Sequence, residues 1–366
     1  MGRKSIEIEI PFQNLRALRE ISGYTVAEVA KKLGTTEDKI KSVEEGKGKL
    51  TLTQIKKLAE IYRCPLAAFF SDRIPPLPHL TDFRINRDKR LTPQVYLAKR
   101  RAYYLLSEIE RITDKTSIIP QFPDDTKPER LAIEFRRHLG IKLIKSKRPK
   151  EILRFYKGEI EKKMFIPIIE YPFKADDVRA FSIFSRISIT VLNEEDSPQV
   201  KLFSLFHEVG HLLRKSSGIC SIEVEPEQKE EIESFCNKFA AEFLVPAEDL
   251  KFEIERLRLE TFDFNSITKL SEIYGVSKQV IMLRLLWLGY IDRKQYQEFK
   301  SGYEEPVKKQ FGRRNWDEVF LNRAGESIVN EVKQAYEKGI FSFADVVGIL
   351  GIKAKYVEKF LSGASG

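Results

Sequence analysis

The sequence predicts an α+β protein that is mostly α-helical. It reads as an N-terminal bundle of short helices, a domain in which a small sheet packs on one apolar helix, and a helical C-terminal region. Three observations carry this reading. The first 70 residues break into short amphipathic segments punctuated by threonines and glycines. One stretch rich in β-branched residues, "ISITVLN", ends in a polar turn. Directly after that turn, Ser197-Pro198 opens a strongly apolar helix, with serine suited to the N-cap and proline to the first turn.

In the N-terminal bundle, "FQNLRALREIS" is amphipathic, and "TVAEVAKKLG" follows with Thr25 as N-cap and Gly34 as stop. "TTEDKIKSVEEG" opens on Thr35 or Thr36 and closes at Gly46; "TLTQIKKLAEIY" and a short "PLAAFF" complete the set. Two helices joined by a glycine turn form the core of a helix-turn-helix. Small Ala30 before that turn, and apolar Ile40 and Val43 after it, fit the required packing. "SDRIPPLPHL" (71–80) is a stiff proline-rich linker. A helix is expected from about Thr92, a proline-containing break at 118–128, and another helix in "KPERLAIEFRRHLGI". The apolar helix at Ser197 has Gly218 past its end, and a further helix runs roughly from Glu227 to Leu244, ending at Pro246. In the C-terminal region Gly325 and Gly339 lie near helix boundaries. The expected division is 1–75, a basic linker and helical segment at 76–128, 129–300, and an extension at 301–366.

A weak internal repeat crosses these divisions. "LGTTEDKIKSV", "YGVSKQVIMLRL" and "LGIKAKYVEKFL" each place an apolar residue (Ile40, Ile281, Val357) six after a glycine. For the second and third copies, plain packing of helical pairs is a sufficient explanation.

Composition narrows the class. Of 366 residues, 42% are hydrophobic and 32% charged, as expected of a folded soluble chain of two or three domains. There is no apolar run long enough for a membrane span and no secretory signal at the N-terminus. Three cysteines (Cys64, Cys220, Cys236) at irregular spacing argue against a disulfide framework and for a reducing cytoplasm. The net charge of +9 is uneven. Arg84–Arg101 carries seven basic residues against one acid, and Lys127–Lys163 thirteen against five, whereas Glu223–Glu255 carries eleven acids against three lysines. That polarity suggests a basic face for an anionic partner.

The chemistry concentrates in "LFSLFHEVGHLLRK" (202–215). His207 and His211 are two of only four histidines, and four residues apart they share one face of a helix. Burying them with Glu208 in an apolar run is costly unless they have partners. HExxH on a helix is the zincin signature, with Glu208 placed to act on a water beside the metal. Zinc needs a third protein ligand and an open fourth position. "EQKEEIESFCNKFAAEFLVP" offers Glu230, Glu231, Glu233, Cys236 and Glu242. Glu233 and Asn237 share a helix face with Cys236 beside them, while Glu242 faces away; Glu230 stays open.

"FSLFHEVGHLL" followed by "ESFCNKFAAEFLVP" resembles the ImmA/IrrE family of zinc metallopeptidases, as do "DFR" at 82–84, "FSIFSRISITVLN" and the helical "LSEIYGVSKQVIMLRLLWLGYI". Many members carry an N-terminal XRE-type helix-turn-helix, which residues 12–70 resemble. The resemblance implies a zincin-like metallopeptidase domain with His207, His211 and Glu233 as ligands of Zn2+, with Mn2+ an alternative. It also implies Glu208 as catalytic base, Asn237 as support for a ligand, and a packing role for Cys236. The implied activity is that of a cytoplasmic regulatory endopeptidase cutting a specific protein, often a helix-turn-helix repressor. The alternative is a DNA-binding regulator or antitoxin whose metal site is structural or vestigial. Tyr171 and Tyr274 are candidates to stabilise an oxyanion by residue type alone, and the strand "SITVLN" is expected to border the cleft and accept substrate as an added strand.

A helix-turn-helix reads DNA with the N-terminal part of its second helix. Here that part holds Thr35, Thr36, Glu37, Asp38 and Lys39, with Lys41, Lys47 and Lys49 available to phosphates. Two acids at the tip disfavour phosphate contact, so the module could instead serve in docking a partner or in a homodimer.

Overall fold

The computed structural model describes residues 7–8, 10–71, 91–173, 178–215, 219–221, 231–302, 316–351 and 354–361. Most of the proline-rich linker, "DFR" at 82–84, Gly218 and residues 227–230 lie outside these. The chain divides into two compact units, Met1–Tyr103 and Tyr104–Gly366.

In the first unit a two-stranded ribbon, β1 (Glu7–Ile8) and β2 (Leu50–Thr51), accompanies helices α1 (Phe12–Ile21), α2 (Val26–Leu33), α3 (Glu37–Glu44) and α4 (Leu52–Tyr62). "PLAAFF" forms a short 3-10 helix at Leu66–Phe70. Local chemistry sets the boundaries. Thr25 caps α2 in a reciprocal box with Glu28, and Gly34 ends it in the left-handed region at φ 75°. Thr36, rather than Thr35, caps α3. Ala30, Ile40 and Val43 are buried where the second helix folds back, and Arg19 of α1 pairs with Glu44 of α3 at 2.7 Å.

Helix α5 spans Pro93–Ile112. The second unit continues with α6 (Pro128–Leu139), α7 (Pro149–Met164), β3 (Ile168–Tyr171), β4 (Val178–Ile183), β5 (Ile189–Asn193), α8 (Pro198–Leu213), β6 (Ile219–Ser221) and α9 (Glu231–Leu244). After these come α10 (Ala247–Arg256), α11 (Phe264–Tyr274), α12 (Lys278–Trp287), α13 (Arg293–Gly302), α14 (Trp316–Ala324), α15 (Glu326–Glu337), α16 (Phe343–Leu350) and α17 (Ala354–Leu361). Ser197 caps α8, its hydroxyl accepting from Val200 N–H, with Pro198 in the first turn. Among the described residues no helix is long and apolar enough to cross a membrane.

The sheet order is β3-β5-β4-β6, with β3 parallel to β5 and the other pairs antiparallel. This corrects one expectation. "ITVLN" is an interior strand with hydrogen-bonded neighbours on both sides, so it has no free edge on which a peptide could add. All five of its residues are buried, and α8 packs against the sheet at this strand.

A buried charge triad ties this layer together. Glu170 on β3 accepts from Lys157 of α7 at 2.9 Å and from Lys201 of α8 at 2.7 Å. Lys157 also reaches Asn322 of α14 at 2.9 Å, and Arg323 pairs with Glu194 at 2.8 Å, so α14 lies along the β3 edge. Gly325, at φ 80°, sits where an added Cβ would come within 3.3 Å of Ile169. Burial raises the Glu170 carboxyl, but the two ammonium groups outweigh it and hold the pKa at about 2.

Because that value is depressed from 4.5, the triad's stabilisation is present above about pH 4.5 and is lost as pH falls toward 2. Denaturant titrations across this range should show the loss. Glu170→Gln, which leaves two buried ammoniums without their counter-charge, should cost about 3–5 kcal/mol at neutral pH.

Candidate metal centre

Helix α8 is buried from Lys201 to Leu213. A helix so enclosed can carry polar side chains only where partners meet them, and His207, Glu208 and His211 each have one. His207 Nδ1 donates to Asn237 Oδ1 of α9 at 2.8 Å. Its Nε2 lies 3.1 Å from Glu233 Oε2, and His211 Nε2 lies 3.0 Å from Glu233 Oε1. The two Nε2 atoms are 3.2 Å apart.

Among the described residues His207, His211 and Glu233 form the one group of histidine, cysteine and acid side chains that could hold a metal ion, with one ligand atom from each within 4.8 Å of the others. The donor set fits such an ion. The Asn237 contact places the proton of a neutral His207 on Nδ1 and turns the Nε2 lone pair toward Glu233 and His211. Lone pairs and carboxylate oxygens gathered this closely repel one another unless positive charge lies among them. Two imidazoles and a carboxylate suit zinc.

The electrostatics show the same convergence. Burial opposes ionisation of Glu233, yet its bonds to His207 and His211 and their charge hold the carboxyl far below its ordinary range. Burial likewise opposes protonation of His207, and Glu233 outweighs it and raises that imidazole. Glu208 behaves differently: complete burial raises its carboxyl, and His211, His207 and Ser182 offset this only in part. Ser182 Oγ on β4 donates to Glu208 Oε2 at 2.6 Å, while Glu208 Oε1 is buried with no hydrogen-bond partner.

The remaining candidates separate cleanly. Glu242 accepts from Ala247 N–H at 3.1 Å and pairs with Arg284, so it faces away from the cluster. Cys236 is buried against Gly210 and lies outside the cluster, and Glu230 lies outside the described residues. Tyr274 donates its hydroxyl to Asp249 at 2.6 Å, which leaves its one proton committed there. Tyr171 ends β3, in register with Asn193, two strands and three residues from Ser182, roughly 14 Å by strand spacing.

Sequence reasoning missed two residues. Ser182 gives no local signal, since a serine in a strand is ordinary. Gly210 is more legible as the one residue without a side chain in a bulky apolar helix. A Cβ there would come within 3.1 Å of Cys236 Sγ and 3.2 Å of Phe239, so the glycine permits α9 to approach closely enough for Glu233 to reach both histidines.

At the other expected site, Thr35, Thr36, Glu37, Lys39 and Lys41 gather at the start of α3. Thr35 N–H bonds Ala30 O at 3.0 Å, Thr36 Oγ1 accepts from Lys39 N–H at 3.3 Å, and exposed Glu37 lies 3.9 Å from Lys41. Part of this surface is therefore engaged in capping and self-neutralisation.

Fold and cluster together define a metallopeptidase-like domain, a small sheet packed on a helix that presents HExxH. Residues 161–286 match the IrrE N-terminal-like domain of a peptidase family, and residues 13–69 match a helix-turn-helix domain. Residues 161–286 thus belong to the IrrE-like metallopeptidase family, and the helix-turn-helix ahead of them completes the ImmA/IrrE arrangement. No curated protein matches the chain.

Two substitutions test the geometry. Asn237→Ala should lower zinc affinity about 10–100-fold with the fold retained, read by competition with a chromogenic chelator. Gly210→Ala should destabilise by about 1–3 kcal/mol in denaturant melts and weaken zinc binding as α9 is displaced.

Proposed function

We propose that this protein is a regulatory zinc-dependent endopeptidase that cuts a specific cytoplasmic protein, with His207, His211 and Glu233 as ligands and Glu208 as general base. The observation that carries this reading is Glu208. A structural metal site of two histidines and Glu233 needs no second acid, and burying one with an unpartnered oxygen is costly. A carboxylate held by Ser182 at one oxygen and unpartnered at the other is suited to moving a proton.

Zinc bound by these three ligands supplies Lewis acidity, which acidifies water and polarises a peptide carbonyl. Glu208 Oε1 takes a proton from the attacking water and delivers it to the departing amine nitrogen as the C–N bond breaks. Ser182 keeps the carboxylate aimed through its bond to Oε2. Asn237 holds the His207 ring in the orientation that turns Nε2 inward.

The β3 edge of the sheet is occupied by α14, and β6 forms the other edge among the described residues. An extended substrate pairing with β6 would lie along the strand next to Ser182. The helix-turn-helix domain supports a substrate or site of action close to DNA, with a repressor of similar type as the target class. Residues 12–70 would then place the enzyme there.

Protein N-termini should be compared in host cells expressing wild type or Glu208→Gln. New N-termini in one or a few proteins, present only with Glu208, are expected; their absence with zinc bound would count against the peptidase. With purified substrate, Glu208→Gln should retain zinc and lose about 10²–10⁴-fold in cleavage rate.

A further inference from the structure

The basic stretch Lys127–Lys163 divides into committed and exposed charge. Arg130 pairs with Glu134 at 2.7 Å, and Arg136 donates to the Phe243 carbonyl. Lys145 pairs with Asp249 at 3.0 Å and Glu253 at 2.7 Å, and buried Lys157 meets Glu170. Much of what stays exposed lies on the outer face of α7.

Helical periodicity defines that face. Ile152, Tyr156, Ile160 and Met164 are buried on one side of α7. Lys150, Arg154, Gly158 and Lys162, each four residues after the last, form a gently winding stripe on the other. The three cations are exposed, and a Cβ added at Gly158 would meet open space. From the helical rise, the stripe is about 18 Å long in steps of about 6 Å.

The acids on this face are already matched. Glu151 accepts from Arg148 at the N-cap, and Glu159 pairs with Lys163 at 2.6 Å. Neither draws on Arg154 or Lys162. Arg148, Lys150 and Arg154 converge with Glu151 on one hollow of about 230 Å³ at the start of the helix. At the other end, Lys163 donates to the Leu139 carbonyl and so holds the end of α6 there, with exposed Lys142 three residues further on. Phe155 is the one large apolar side chain exposed on α7, and it meets Tyr156 edge-on. The surface is therefore suited to a charged partner rather than an apolar one.

Cations clustered along one helix face are the footprint of a nucleic acid. Each strand of duplex DNA carries a phosphate about every 3.4 Å of axis, so about five pass along a stripe of this length. An acidic protein segment offers no such regular line of charge. The first turn of α3, by contrast, opens on Glu37 and Asp38.

We propose that the outer face of α7 binds duplex DNA through its phosphates, without reading sequence, and supplies contacts that the acidic tip of α3 does not. This inference does not depend on peptidase activity, and Glu208→Gln should leave DNA binding unchanged.

The test uses the full chain and a fluorescein-labelled duplex of mixed sequence, with anisotropy measured across a salt series. Arg154→Gln/Lys162→Gln should weaken binding about 10-fold or more at low salt and reduce the slope of log K against log salt by about 2. Gly158 gives two variants that leave these cations in place. Gly158→Lys should raise the slope by about 1, and Gly158→Glu should weaken binding. Both replace a helical glycine in open space, so neither should lower thermal stability. The proposal is overturned if the full chain does not bind the duplex at low salt, or if Arg154→Gln/Lys162→Gln keeps the wild-type slope. It is also overturned if the two Gly158 variants act alike, or if the α7 variants lose binding to polyglutamate while DNA affinity is unchanged.

Discussion

The close approach of α8 and α9 is the constraint on which the metal centre depends. HExxH supplies two imidazoles on one helix face, but the third donor arrives from a helix whose first turn is more than twenty residues further on. It reaches them because Gly210 leaves room for Cys236 and Phe239 against the α8 backbone. Below this contact, Phe206 stacks on Phe243 with ring centroids 4.0 Å apart, and Tyr156 meets both edge-on. The aromatic ladder fixes the separation of the helices while Asn237, one turn along α9 from Glu233, fixes the His207 ring. Backbone proximity, aromatic packing and one hydrogen bond thus agree on a single placement of four polar side chains inside an apolar layer.

The sheet contributes a different kind of order. Ser182 on β4 reaches the base, and Glu170 on β3 is neutralised from α7 and α8 at once. Buried ion pairs of this kind are weak sources of net stability but strongly penalise any arrangement that leaves one member unpaired. Here the triad registers α7, β3 and α8 against each other, and α14 extends the network through Asn322. The C-terminal region is therefore part of the architecture that holds the sheet edge.

What could be read from sequence follows the range of the interactions involved. The caps at Thr25 and Ser197, the left-handed stop at Gly34 and the shared face of His207 and His211 are set within four or five residues, and all were legible. Helix α7 was not, because its role lies in Lys157 and Glu161, whose partners come from β3 and the C-terminal region. The β-branched stretch at 189–193 announced a strand, but its neighbours, and so its lack of a free edge, did not show in its composition. The glycine repeat was visible as spacing, yet only burial showed that the copy at Gly275, whose second helix is enclosed from Val280 to Leu285, belongs to the core.

The sequence alone therefore determined the local chemistry: helix boundaries, the HExxH face, the two-part build of a helix-turn-helix and an IrrE-like domain, and the acids from which a third donor could come. Tertiary structure decided which acid met the histidines, which strand was interior, that Tyr274 was committed to Asp249, and that Ser182 stood behind Glu208. The reason is physical. Periodicity and capping depend on neighbours along the chain, whereas convergence of donors at 3 Å depends on how far apart two helices settle, and that distance is set across the interface, by the missing side chain at Gly210 and the Phe206–Phe243 stack.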